Sequence, residues 1–163
     1  VPEPTILHAD ARYHADLALD LDRNGTAVVG DVVVPGRLAR GERFAFERYV
    51  SRVRATGPDG LLFEDATHLT PGESSPEAPG VLGEFDVYGS LFAVAPDRDA
   101  GALSDALHAT VTDRTARAAA TELPNGAGAV VRALGSRAET VQAARAAAWD
   151  RARRHRVRPG PVS

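Results

Sequence analysis

Arg37, Arg40 and Glu42 are the residues whose types and spacing offer the clearest chemistry in this chain. They sit in the stretch 36–44, Gly-Arg-Leu-Ala-Arg-Gly-Glu-Arg-Phe, directly behind the apolar run 28–34. Gly36 and Gly41 permit backbone conformations that side-chained residues avoid, so the stretch reads as a sharply bent loop with aimed side chains. Planar guanidinium groups recognise carboxylates in bidentate fashion. Two uses follow from that: an internal ion-pair network that fastens the loop, or a polar lining for a cavity or a partner-binding edge. Spacing alone admits both.

Other candidates are sparser. The five histidines, at 8, 14, 68, 108 and 155, show neither His-x-x-x-His nor Glu-x-x-His spacing, so no helix presents two metal ligands on one face. His8 with Asp10 is the one local pair worth testing as a metal site. There is no Gly-x-Ser-x-Gly elbow. Strand alternation puts Glu64 and Asp65 on opposite faces, whereas Glu84 and Asp86 share one and could act as paired carboxylates of a hydrolase. Arginines at 145, 151, 153, 154, 156 and 158 form a basic tail that could contact phosphates, or complement the dipole of a helix end.

Composition removes much else. All 19 basic side chains are arginine, and lysine, cysteine and methionine are absent. The chain therefore lacks a phosphate-loop lysine, a Schiff-base amine, a thiol nucleophile, a disulfide and a zinc–thiolate site. At 163 residues and 44% hydrophobic it has the size of one domain with a real, aliphatic core, since aromatics make up only 6%. No apolar stretch approaches the ~20 residues of a membrane-spanning helix, and no signal segment is recognisable, so a cytoplasmic protein is expected. The start on Val1-Pro2-Glu3-Pro4, without methionine, leads us to expect missing upstream sequence.

The elements that must position these groups are mostly strands. Residues 13–22 alternate apolar and polar, Asn24-Gly25 reads as a tight turn, and 26–35 is β-branched and apolar. This predicts an antiparallel hairpin with a buried second strand. A second hairpin is predicted for 44–56 and 61–70 around Gly57-Pro58-Asp59-Gly60. Residues 71–83, rich in proline and glycine, read as an exposed loop, and strand character returns at 84–95. Asp97 or Asp99 can cap an amphipathic helix over 100–113. Segments 116–123 and 128–134 are strand-compatible around Pro124-Asn125-Gly126. Ser136-Arg137-Ala138-Glu139 has capping-box spacing ahead of an alanine-rich helix over 137–156, ended by Pro159 and Gly160. The result is a mainly β fold of stacked sheets with two helices in the C-terminal half.

Several ordered segments carry a resemblance: Pro2-Glu3-Pro4-Thr5-Ile6, Asp10-Ala11-Arg12-Tyr13, and Pro35-Gly36-Arg37-Leu38-Ala39-Arg40-Gly41-Glu42-Arg43-Phe44. They continue through the Asp59-Gly60 hairpin, Leu69-Thr70-Pro71, Leu123, Arg132-Ala133-Leu134-Gly135 and the Trp149 helix with Arg153. The set resembles the urease accessory protein UreD (UreH) family over essentially the whole chain. It implies a single UreD-like domain, residues 1–163, that lacks roughly the first third of the family's usual length. It further implies antiparallel, β-helix-like stacked sheets and a non-enzymatic maturation factor. Such a factor joins UreF and the GTPase UreG on the urease apoprotein, with nickel in transit rather than tightly bound. Arg37, Arg40, Gly41, Glu42 and Arg132 are then channel or partner-interface candidates. The alternatives are a hydrolase on a β-rich scaffold using Glu84 and Asp86, and an arginine-rich nucleic-acid-binding domain.

Overall fold

A computed structural model describes residues 3–78, 81–112 and 114–157, with backbone alone at 156–157. Among these residues the order is β1 (Thr5–Ile6), β2 (Arg12–Asp20), β3 (Ala27–Val34), β4 (Arg48–Gly57), β5 (Gly60–Leu69), β6 (Val87–Val94), α1 (Ala100–Val111), β7 (Arg117–Glu122), β8 (Gly128–Gly135) and α2 (Ala138–Val157). The strands form a five-stranded sheet, β1-β3-β6-β8-β7, and a three-stranded sheet, β2-β4-β5. The helices cover one face of the larger sheet and the smaller sheet covers the other. Stacked sheets with two late helices agree with the sequence expectation, and they do not close into a barrel.

Alternation along the central strands explains the three layers. On β6 and β8, Leu91, Ala93, Ala129 and Val131 pack against Leu103, Leu107 and Val111 of α1 and Ala148 and Ala152 of α2. The intervening Phe92, Val94 and Val130 point the other way, onto Ala55 and Phe63 of the small sheet. A strand sandwiched in this way must be apolar on both faces, which is what 87–95 and most of 27–34 provide.

The hairpin predicted for 13–22 and 26–35 does not form. β2 runs parallel to β4 in the small sheet, while β3 lies in the large sheet, antiparallel to β6. The reason is environmental. Arg12, His14, Asp16 and Asp20 give β2 a face that must stay in water, whereas Val32, Val33 and Val34 are buried. One strand suits an outer layer and the other the middle layer. The Asn24-Gly25 turn, closed by a Gly25 N–H to Asp22 carbonyl bond of 2.8 Å, therefore steps between sheets.

The second hairpin is present as β4–β5, antiparallel through a turn at Pro58-Asp59, with Gly60 at φ +115° and an irregularity at Ala55/Thr56. Its first strand begins at Arg48 rather than at residue 44. Asp99 caps α1, accepting from the Ala102 N–H at 3.0 Å. β7 and β8 pair around a 3-10 turn at Pro124–Gly126. The end of α2 expected at Pro159 and Gly160 lies outside the described residues. Among those residues no helix is long and apolar enough to cross a membrane.

Candidate functional site

The glycine–arginine loop connects β3 to β4 and so carries the chain from the large sheet to the small one. Leu38–Arg40 forms a 3-10 turn, stopped by Gly41 at φ 73°. Gly36 holds φ 147°, and a Cβ there would stand 2.3 Å from the Glu42 carbonyl oxygen. Across this tight approach Arg37 Nε donates to Glu42 Oε2 at 3.0 Å, and Arg37 Nη2 also bonds Glu42 Oε1. The Arg37 hydrogen bonds hold the Glu42 carboxyl below the usual carboxylate range, with His8 adding a smaller push in the same direction. Arg40 is exposed on the turn. The next residue, Arg43, bridges Glu77 and Asp86 and lies 4.8 Å from the centre of the Phe44 ring.

Asp86 is therefore engaged by an arginine, while Glu84 is exposed ahead of β6; neither lines the inter-sheet cavity. His8 and Asp10 are exposed in a turn closed by the Ala11 N–H to His8 carbonyl bond. Among the described residues no group of three or more His, Cys, Asp or Glu could hold a metal ion. The basic tail does not form one surface: Arg145 is buried beneath the large sheet, whereas Arg153 and Arg154 are exposed.

The more concentrated polar site lies between the sheets, and register assembles it. Asp31 pairs with Ser90, and Ser90 with Arg132, so three polar residues cross the inner face of the large sheet in one row. On the small sheet the rows Ala15–Ser51–Thr67 and Leu17–Val53–Asp65 lie in neighbouring registers. Apolar clusters close this layer off on both sides. One contains Phe63 and Phe92, stacked at 5.7 Å, with Val94 and Val130. The other contains Leu7, Val33, Phe46 and Tyr49, with Tyr13 stacked on Tyr49 at 5.4 Å.

A cavity of about 430 Å³ occupies the gap, and Asp31, Tyr49, Ser51, Asp65, Thr67, Tyr88 and Ser90 supply its polar lining. It also touches Val28, Gly30 and Trp149, on the helix side of β3, so it wraps around that strand. β1 pairs with β3 only at Val33 and Val34, and β2 is one of the two edge strands of its sheet. The cavity thus opens along the free edges of β2 and β3. At the opposite end Arg132 spans the sheets: Nη1 donates to the Tyr88 hydroxyl and Nη2 to Asp65 Oδ1, both at 2.5 Å, with the guanidinium 5.8 Å from the Phe92 ring centre.

Burial is the dominant electrostatic influence here. It raises the Asp31 carboxyl above its ordinary value, against hydrogen bonds from the Val32 N–H, the Thr5 hydroxyl (3.3 Å) and Tyr49, and against the charge of Arg145. Burial likewise pushes the Tyr49 hydroxyl up, and Asp31 adds to that shift. For Arg145 burial lowers the value. Polar groups held between apolar clusters bind water or ions more readily than greasy side chains do.

The sequence offers Arg132 as a candidate through the resemblance and weighs Asp65 only as a neighbour of Glu64 on the opposite strand face; Asp31, Ser90, Tyr49 and Thr67 are not candidates there. A signal existed for two of them: Asp31 and Ser90 interrupt strands that are otherwise apolar on both faces.

Comparison with known proteins gives a consistent answer. The sequence profile described as UreD urease accessory protein matches residues 1–162. A urease accessory protein UreD from Haloarcula marismortui is 74% identical over 153 residues, covering 94% of this chain and 51% of its own length. That from Haloquadratum walsbyi is 40% identical over 154 residues, again 94% and 51%. The Sorangium cellulosum protein of the same name is 35% identical over 142 residues, 86% and 45%. The chain spans about half the length of the curated relatives it matches. With the profile matched over nearly every residue, the chain belongs to the UreD urease accessory protein family.

Proposed function

We propose that this chain is the part of a urease maturation scaffold that offers nickel a polar route between two β-sheets, without catalysing a reaction itself. In this reading the full-length protein works in the cytoplasm, joins UreF and UreG, and delivers the ion to urease apoprotein. The single observation that carries it is the polar layer of Asp31, Ser90, Ser51, Thr67 and Asp65 lining a cavity between two apolar clusters. Family membership supplies the context.

The chemistry suits transit. Hydroxyl and carboxylate oxygens spread over four strands offer exchangeable contacts, whereas a closed set of three or four histidines would retain the ion. Arg37 and Glu42 serve the route indirectly, by fixing the loop that joins the two sheets. The test is the full-length protein in a strain carrying a urease operon. Ser90→Val and Asp31→Asn are expected to lower the nickel content and activity of urease while UreF and UreG still co-purify. Normal nickel loading in both variants would refute the route, and failure of either partner to co-purify with the unmodified protein would refute the proposed assembly.

A further inference from the structure

We propose that Arg132 is a latch at the far end of the inter-sheet cavity, away from the β2–β3 edge: a tethered cation that occupies Asp65 until a divalent ion entering from that edge displaces it. This rests on the passage reading above and adds a control point to it. Asp65 lines the cavity, and the arginine that meets it comes from the facing sheet, so the pair stands across the end of the polar layer.

Three features fit a movable group better than a fixed tie. First, Arg132 is held by a shared hydroxyl, a carboxylate and an aromatic face, so losing the carboxylate leaves Tyr88 and Phe92 to keep the side chain ordered. Second, its side chain is 41% exposed, against 27% for Asp65, so the guanidinium can swing outward while the carboxylate stays in the layer. Third, a divalent ion at a given distance from a carboxylate interacts twice as strongly as a guanidinium, and the oxygens lining the cavity offset its larger dehydration cost. Thr67, two residues from Asp65 on the same inner face of β5, adds an oxygen to the vacated position. The latch thus selects by charge: monovalent ions do not compete well with a hydrogen-bonded guanidinium, and divalent ions do.

The experiment follows backbone amides of the 15N-labelled full-length protein by NMR while Ni2+ alone is added. It uses a His14→Gln, His68→Gln background, which removes exposed imidazoles from the outer face of the small sheet. In that protein the amides of Gly30 to Val32 should broaden first and those of Asp65 and Thr67 only later. Arg132→Met, which keeps a long side chain over Phe92, and Arg132→Gln, which keeps a donor for Tyr88, should bring half-broadening at Asp65 and Thr67 at about tenfold lower Ni2+, the equivalent of one charge-assisted hydrogen bond. Adding Asp65→Asn should remove that gain. An unchanged profile at Asp65 in both variants, with broadening at Asp31 intact, overturns the latch and makes Arg132 a static tie between sheets. If no cavity amide broadens in any of the proteins, the passage reading itself fails and the latch with it.

Discussion

Replacing Gly36 by alanine tests the architecture of the glycine–arginine loop most directly. The new Cβ would stand 2.3 Å from the Glu42 carbonyl oxygen and 2.9 Å from its carbon, both backbone atoms that cannot rotate away. A normal carbon–oxygen contact is about 3.3 Å or more, so roughly 1 Å must be found by moving the loop. Overpacking of this kind costs about 1–3 kcal/mol. The backbone adds its own penalty, because φ 147° is a glycine conformation worth about 1–3 kcal/mol to a side-chained residue. The sum is about 4 kcal/mol, or about 12 °C in melting temperature for a chain of this size. Gly41→Ala is the control: its φ is 73° but nothing lies within 4 Å, so only the left-handed backbone term remains, about 1–2 kcal/mol. Urea unfolding of both variants, followed by circular dichroism, measures the difference. Equal destabilisation by the two would refute the claim that the approach of Gly36 to Glu42 closes the loop. Glu42→Gln, which keeps the carbonyl and loses only the carboxylate, should cost less than Gly36→Ala.

Two further outcomes are expected. Asp31 has a folded-state value raised above the ordinary 3.8, so the folded chain binds its proton more tightly than the unfolded chain does. Its contribution is fully present below 3.8 and is lost as pH rises through the raised value. Asp31→Asn should therefore compare best with the parent near neutral pH and fall behind it as pH drops toward 3.8; a pH-independent difference in urea midpoints would contradict this. Leu107, fully buried between α1 and the large sheet, should cost about 2–5 kcal/mol as Leu107→Ala, measurable by calorimetry. A smaller loss would mean that α1 settles into the cavity left behind.

The readable parts of the fold were those set by neighbours in sequence. The Pro58-Asp59-Gly60 turn specifies its own hairpin, and Asp99 with the stripe of Leu103, Leu107 and Val111 specifies α1. Pairing between distant strands is a different matter. Alternation along β2 gives its faces but names no partner, and the Asn24-Gly25 turn pointed to β3, whereas the partner is β4. The solvated side chains of β2 and the burial of Val32 to Val34 decided between these, once a second sheet existed to cover β3. The candidate site divides similarly. Arg37 and Glu42 meet through a five-residue bend, which spacing can anticipate. Asp31, Ser90 and Arg132 meet only through the register of β3, β6 and β8, which no local pattern encodes. Arg132 entered through family resemblance rather than through its own surroundings.

The strand order has a consequence for how the chain is made. The chain alternates between sheets, and β3 finds its long partner only in β6, which is synthesised after both β4 and β5. Until Val87–Val94 has left the ribosome, the apolar Val32-Val33-Val34 segment has little but the two-residue β1 to pair with. The local hairpin β4–β5 can form at once and waits, with β2 docking beside it from upstream. Such delayed, long-range closure folds slowly and exposes aggregation-prone strand to other nascent chains. Yield should therefore respond to slower translation between β3 and β6, and to holdase chaperones, more than to changes at the surface of α2.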